Sequence, residues 1–99
     1  MLYRVALQRD LTRRDVPFES EVWIDVMYKG ELIGRKRIDL LVAGKLIVEL
    51  KAVEAIAPLH KAQLRTYLKI MKLRLGLLIN FNGILLKEGI KRVLNPSAA

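Results

Sequence analysis

The sequence predicts one α/β domain with the element order α-β-β-β-α-β, in which helices flank a mixed central sheet. Three observations support this: an N-terminal segment with helical spacing of apolar residues, a long region with alternating residues, and a proline-initiated helix followed by a largely apolar run. A chain of 99 residues, 53% of them hydrophobic, has room for one modest core. Residues 1–99 are therefore predicted to form a single domain.

The first half of the chain is predicted to form one helix and three strands. Residues 2–12 have helical spacing in their apolar set, which comprises Leu2, Val5, Ala6, Leu7 and Leu11. From residue 18 the period becomes two, which predicts a strand with one face made of Phe18, Ser20, Val22, Ile24 and Val26. Turn residues then separate a second strand, from about 32 to 42, and a third, from 46 to about 53. These three strands are expected to form an antiparallel meander.

The second half is predicted to form a helix and a buried strand. Pro58 stands at the start of a helix over 59–74, where proline is tolerated, and Gly76 is expected to end it. Its apolar set is Leu59, Ala62, Leu64, Leu68, Met71 and Leu75. Residues 77–81 are apolar except for Asn80, which is typical of a central strand buried on both faces. Asn82-Gly83 predicts a turn, residues 84–87 a short strand, 90–94 a terminal strand and 95–99 a loose end.

The charge of the chain points to a polyanionic partner. Lys and Arg number 18 against 10 acidic residues, a formal net charge of +8, which favours nucleic acid over the simpler explanation that the charge serves solubility. No apolar stretch approaches the roughly 20 residues of a spanning helix, and the N-terminus has no signal-peptide pattern, so we expect no membrane partner. The absence of cysteine excludes disulfides and thiolate sites and fits a cytoplasmic protein.

Three charged residues on the second and third strands form the candidate catalytic site. Glu49 and Lys51 are two apart on one strand and share a face, and the preceding turn brings Asp39 beside them. Two carboxylates and the backbone carbonyl of Leu50 are hard oxygen ligands suited to Mg²⁺ or Mn²⁺, whose water can attack a phosphodiester. Lys51 would assist that water or neutralise charge on the phosphate. The alternative, a solvated Glu49–Lys51 pair, is disfavoured because both strands are otherwise nearly continuously apolar.

The second helix adds candidate substrate-binding residues. His60, Gln63 and Tyr67 have a spacing that places them along one stripe, with Gln63 the strongest candidate for binding a phosphate or positioning the water. For His60 a role as a partly exposed first-turn residue, and for Tyr67 a packing role, are the more ordinary explanations. The basic residues Lys61, Arg65, Lys69 and Lys72 are expected to face outward, towards the nucleic-acid backbone.

With these residues in view, the chain resembles the GxxExxY family, small prokaryotic proteins of the PD-(D/E)XK nuclease superfamily. The resemblance lies in residues 28–34 (YKGELIG), 37–42 (RIDLLV), 47–53 (IVELKAV), 60–68 (HKAQLRTYL), 76–81 (GLLINF) and 89–93 (GIKRV). It implies a restriction-endonuclease-like core, with Asp39 and Glu49 as metal ligands, Lys51 as the catalytic lysine and Gln63 near the site. It also implies DNA in preference to RNA as substrate and a possible homodimer.

The sequence departs from this family in two places. Ile38 stands where the superfamily's name has proline, a position that commonly varies. The motif that names the family belongs on the first helix, and if its tyrosine is Tyr3, its glutamate falls one residue before Met1. The chain is therefore expected to be truncated or begun at an internal start. A site without that first-helix acid is expected to bind metal more weakly.

Three functions follow from these observations. The first is a Mg²⁺-dependent nuclease, the second a nucleic-acid-binding module whose catalysis is weakened or lost, and the third a protein-interaction role in which the carboxylates are a relic. Metal-dependent cleavage that is lost in Glu49→Ala while binding survives would select the first. Salt-sensitive binding that does not need the carboxylates would select the second. Absence of nucleic-acid binding even at low salt would select the third.

Overall fold

The computed structural model describes residues 2–82 and 89–97, and within these ranges it contains two helices and five strands. In chain order they are α1 (Leu2–Arg13), β1 (Phe18–Tyr28), β2 (Glu31–Val42), β3 (Leu46–Lys51), α2 (Pro58–Met71), β4 (Leu75–Asn80) and β5 (Ile90–Leu94). The predicted order is confirmed, with β5 as the terminal strand. The predicted strand at 84–87, and Gly83 of the predicted turn, lie outside the described residues.

The five strands form one mixed sheet in the order β1-β2-β3-β4-β5. Neighbouring strands are antiparallel except β3 and β4, which are parallel because α2 crosses from the end of one to the start of the other. The predicted meander of β1, β2 and β3 is therefore confirmed, although β3 ends at Lys51 and not near residue 53. β4 lies between β3 and β5, as its apolar run predicted.

Helix α2 covers one face of the sheet with a narrower stripe than predicted. Leu64 and Leu68 are fully buried in the cluster formed with β1 to β5, and Tyr67 and Met71 pack against it. Leu59, predicted to belong to the same face, is 65% exposed. A helix turns about 100° per residue, which places residue 59 roughly 140° away from residue 64 and outside the packed stripe.

Helix α1 lies on the opposite face and is held by few contacts. None of its residues is buried, although Leu7 and Leu11 pack against the second apolar cluster (Leu40, Val42, Val48, Leu50 and Ile79). Tyr3, one turn before Leu7, stacks its ring on Phe81 with 4.3 Å between ring centroids. The packed stripe is thus residues 3, 7 and 11, and the prediction that Leu2 and Val5 face the core is wrong, since Leu2 is 85% exposed.

The predicted single apolar face of β1 is interrupted at Glu21. This residue has φ of 53°, a left-handed conformation that is uncommon for a residue with a Cβ atom. Before it, Phe18 packs on the cluster beneath α1, whereas Val22 and Ile24 after it pack on the cluster beneath α2. The strand therefore contributes to both sides of the sheet.

Helix α2 ends earlier than predicted and its C-terminal connection is fixed by a buried asparagine. Lys72 takes the left-handed conformation, with φ of 58°, and ends the helix at Met71. Gly76 lies in β4, where a Cβ atom would come within 2.9 Å of the Leu64 side chain, so close packing explains this glycine better than helix termination does. Asn95 is not a loose end: its Nδ2 donates to the carbonyl of Leu73 and its backbone N–H to that of Arg74.

No helix in the described part of the chain is long and apolar enough to cross a membrane.

Candidate active site

The two predicted acids meet where the β2–β3 ladder gives way to side-chain hydrogen bonds. Regular pairing runs from Val42↔Leu46 to Leu40↔Val48 and goes no further. At the next position the backbone N–H of Leu50 donates to Asp39 Oδ2 at 2.7 Å, and the N–H of Asp39 donates to Glu49 Oε1 at a long 3.4 Å. Each carboxylate therefore takes the place of a backbone carbonyl as the acceptor of an inter-strand hydrogen bond. The two carboxylates are held side by side on the α2 face of the sheet.

Burial and mutual repulsion determine the charge of this pair. Glu49 is 7% exposed while Asp39 is half-buried. Burial, then the negative charge of Asp39 and a hydrogen bond to that carboxylate, raise the pKa of Glu49 from 4.5 to about 8, and the nearby Lys51 cation opposes the rise. Without a cation, the pair thus holds a proton at neutral pH. A buried carboxyl of this kind marks a position where a cation would be favourable.

A polar cavity of about 240 Å³ opens over the carboxylates and gathers most of the predicted site residues. It is lined by Arg37, Asp39, Glu49, Leu50, Lys51, His60, Gln63, Leu64, Tyr67 and Leu78. The predicted nucleic-acid contacts Lys61, Arg65 and Lys69 are not among these residues. A larger cavity of about 440 Å³ lies between α1 and the start of β1, but its lining (Val5, Gln8, Arg9, Thr12, Arg13 and Phe18) contains no acid or histidine. Of these two cavities, the smaller one therefore holds the predicted acidic and histidine side chains.

Lys51 and Tyr67 are two of the hydrogen-bond donors that line the cavity. Lys51 ends β3, two residues from Glu49, and makes no ion pair within residues 2–82 and 89–97. Its ammonium group is thus available to an anion in the cavity. Burial, then the negative charges of Glu49 and Asp39, raise the pKa of Tyr67, so its hydroxyl stays protonated and can donate.

His60 has a structural task at the start of α2. The ring Nδ1 of His60 accepts a hydrogen bond from the backbone N–H of Ala57 at 2.9 Å. The backbone N–H of His60 in turn donates to the backbone carbonyl of Ala57 at 3.0 Å. Ala57 has no side chain able to cap the helix, so the two hydrogen bonds between Ala57 and His60 cap its N-terminus instead. The ordinary explanation for His60 as a first-turn residue is supported, and because Nδ1 accepts, the neutral ring carries its proton on Nε2.

Two residues near the site were not predicted. Arg37 lines the cavity and lies 3.8 Å from Glu21 Oε2; its spacing of two from Asp39 on one strand is the signal that would have found it. Asn80, the β4 partner of Lys51, is 7% exposed and accepts from the N–H of Val53 while donating to its carbonyl. It ties the segment after β3 to the end of β4. An amide inside an apolar run gives no sequence signal for such a role.

Asn80→Ala is expected to destabilise the fold by about 2–4 kcal/mol, because it leaves both backbone groups of Val53 without their partner. Urea unfolding followed by circular dichroism measures this change in the free energy of unfolding. Asn82→Ala, at an exposed neighbouring position, is the matched control and should change it by less than about 0.5 kcal/mol. Equal effects of the two substitutions would refute the bracing role of Asn80.

Comparison with known proteins places this geometry in context. A family model described as PD-(D/E)XK nuclease superfamily matches residues 1–93. Among solved structures, the crystal structure of SSO0001 is similar over 94% of this chain, with a TM-score of 0.68 and 19% sequence identity. This chain spans 48% of that longer one, and the likeness is one of fold. No curated protein matches the chain.

Proposed function

The chain belongs to the PD-(D/E)XK nuclease superfamily, and on that premise we propose that it hydrolyses phosphodiester bonds of DNA, using Mg²⁺ or Mn²⁺ held by Asp39 and Glu49. Membership indicates nuclease activity on nucleic acid with a divalent metal ion, and the mixed sheet with its two helices is consistent with a restriction-endonuclease-like fold. The choice of DNA over RNA rests on the resemblance described above. The closer assignment to the GxxExxY family and the homodimer stay predictions.

The interlocked Asp39–Glu49 pair is the observation that supports this proposal most. Two carboxylates with the Leu50 carbonyl between Glu49 and Lys51 offer the hard oxygen donors that Mg²⁺ and Mn²⁺ accept, so the donor set fits. The raised pKa of Glu49 fits as well, because a bound cation would relieve the repulsion between the two acids. When bound, the metal supplies Lewis-acid stabilisation of the phosphate and a lowered pKa for water.

The remaining cavity residues supply charge and orientation. Lys51, a compact cation beside the carboxylates, neutralises the negative charge that develops on the phosphate oxygens. The Gln63 amide both donates and accepts, which suits it to hold the attacking water in line with the phosphorus atom. The protonated hydroxyl of Tyr67 and the Nε2–H of His60 donate to non-bridging phosphate oxygens.

The outer face of α2 is proposed to carry the nucleic-acid backbone towards the cavity. Lys61, Arg65 and Lys69 repeat every four residues and so form one stripe. Arg65 and Lys69 are exposed and Lys61 is half-buried. Contacts of this kind bind phosphates without reading sequence, and their contribution falls as salt rises.

Metal binding measured by calorimetry tests the proposal directly. The unmodified chain is expected to bind Mg²⁺ or Mn²⁺ near pH 8, and Glu49→Ala to lose that binding. Glu54→Ala removes the same charge from an exposed position just after β3 and should bind like the parent protein. Cleavage of plasmid and oligonucleotide DNA by the same three proteins should follow the same pattern. Binding or cleavage that persists in Glu49→Ala would overturn the assignment.

A second candidate function, binding without efficient cleavage, is favoured by one observation. Within residues 2–82 and 89–97, no three side chains from His, Asp and Glu come together as a metal site, so the cavity offers two acids. A metal held by two carboxylates binds more weakly than one held by three. Salt-sensitive DNA binding that survives Asp39→Ala and Glu49→Ala, with no cleavage at millimolar metal, would select this function.

A further inference from the structure

The hairpin of β1 and β2 extends beyond the rest of the sheet. β2 pairs with β3 only through residues 40–42, but it pairs with β1 as far as Tyr28↔Glu31. Residues 22–38 therefore form a two-stranded extension, here called the arm, beside which residues 2–82 and 89–97 provide no third strand. Several of its large side chains are more than half exposed, namely Trp23, Met27, Tyr28, Leu32 and Ile33.

Trp23 leaves the side of the arm opposite to Val22 and Ile24, which pack on the cluster beneath α2. It pairs directly with Arg37, so these two side chains share a face, and Arg37 is the residue that connects this face to the carboxylate cavity. The guanidinium of Arg35 lies 5.6 Å from the centre of the Trp23 ring, and its Nε donates a hydrogen bond to Asp25 Oδ1 at 3.1 Å. An exposed indole, 56% accessible, thus has one arginine over its ring and, as its strand partner, a second arginine that lines the cavity.

The arm brings this indole within a few nucleotides of the acids. Arg37 is two strand residues, about 7 Å, from Asp39, and a directly paired side chain lies about 5 Å across. These two steps place Trp23 roughly 9 Å from Asp39. A strand with a phosphate in the cavity would therefore bring one of its next few nucleotides beside the indole.

We propose that this face of the arm binds an unpaired stretch of the substrate strand, with Trp23 stacked on a base and Arg35 and Arg37 on its phosphates. The proposal rests on the proposed nuclease function and narrows its substrate to nucleic acid with single-stranded character beside the cleaved bond. Stacking requires a base whose face is free, which a base inside a continuous duplex does not offer. Exposed aromatic rings flanked by basic side chains are the usual platform for single strands.

The charge of the arm favours nucleic acid over a second copy of the chain. The arm carries four basic side chains (Lys29, Arg35, Lys36 and Arg37) against two acidic ones, Asp25 and Glu31. Two copies that pair arm to arm would bring like net charges together, whereas a polyanion neutralises them. The Asp25–Arg35 pair is 60% exposed on both sides, so it holds Arg35 weakly and a phosphate can replace the aspartate.

The chain's one tryptophan makes the proposal directly measurable. Intrinsic fluorescence of the metal-free protein in EDTA, where no cleavage occurs, reports on Trp23 alone. A single-stranded oligonucleotide is expected to quench this emission in a saturable way at low salt, and a blunt duplex of the same length to quench it much less. Quenching that depends on protein concentration without any DNA would instead show that a second copy covers the indole, and would overturn the proposal.

Variants then separate stacking from general attraction. In anisotropy titrations of a labelled single strand, Trp23→Ala is expected to bind about tenfold more weakly, with Trp23→Phe close to the parent. Met27→Ala, which shortens another exposed side chain of β1, is the matched control and should bind normally. Unchanged affinity in a folded Trp23→Ala, as judged by circular dichroism, would refute the proposal. Binding that depends on Trp23, without cleavage in any metal, would support strand binding by the arm and refute the nuclease function. Cleavage that does not depend on Trp23 would support the nuclease function and refute strand binding by the arm.

Discussion

Lys51→Ala is expected to lower the rate constant of metal-dependent cleavage by about 10²–10³, the usual effect of removing one preorganised electrostatic contact to a developing charge. Affinity for Mg²⁺ should be unchanged or tighter, because the substitution removes a cation beside the Asp39–Glu49 pair. Single-turnover cleavage at saturating metal, together with calorimetry, separates these two quantities. Lys51→Arg should rescue little, since a planar, delocalised guanidinium does not reproduce the compact point charge of an ammonium group.

The matched control for Lys51 is Lys45→Ala, which removes an equal charge from the exposed turn before β3. If the two variants lose activity equally, the role of Lys51 is one of general charge and not of catalysis. If Lys51→Ala keeps the full rate of the parent protein, the lysine has no part in the reaction.

Metal-free protein is expected to lose stability as pH rises from about 5 to about 8. The folded state holds a proton on Glu49 up to pH 8, whereas the unfolded chain releases it near 4.5, so between these values the folded state binds more protons. The contribution of Glu49 to the free energy of unfolding is therefore fully present below pH 4.5. It declines as pH rises through the folded-state pKa of about 8, by on the order of a few kcal/mol in total. Metal affinity should follow the opposite course and rise about tenfold per pH unit below pH 8, since binding requires the ionised carboxylate.

Thermal unfolding in EDTA at several pH values measures this linkage. Glu49→Gln should flatten the decline between pH 5 and 8, whereas Glu54→Gln should leave the profile of the parent protein in place. Parallel profiles for the parent and Glu49→Gln would show that Glu49 titrates normally. Addition of Mg²⁺ at pH 8 should recover stability in the parent protein and have little effect on Glu49→Gln.

The convergence of the acids was predictable from local rules. The turn at 43–45 and the alternation of β3 suffice to place Asp39 beside Glu49, because the two strands are joined directly and each acid lies three residues from the pair Val42↔Leu46 that flanks the turn. The structure adds what alternation cannot show, namely that the backbone ladder ends there and that each carboxylate accepts a backbone N–H. Those bonds depend on how the two strands separate, which is a tertiary property.

Other features escaped prediction because a tertiary constraint outweighed a local preference. Helix α2 ends at Met71 because Lys72 takes a conformation that usually favours glycine, while Gly76 serves packing in β4. Glu21 takes a similar conformation within a strand and shifts the following residues to the other face. In neither case does the residue type in the sequence indicate the left-handed conformation. Arg37, in contrast, carried a usable signal in its spacing from Asp39.

The double use of Asp39 restricts how the proposed chemistry of this protein could be lost over evolution. Its carboxylate is a proposed metal ligand and also the acceptor for the backbone N–H of Leu50, a buried residue. A change to alanine would remove both, and a lineage released from selection for cleavage would still be penalised for the unpaired amide. Asparagine keeps an acceptor oxygen while giving up the charge. Drift towards inactive descendants of this fold should therefore pass through asparagine more readily than through small apolar residues, and such descendants would keep the shape of the cavity long after losing its reaction.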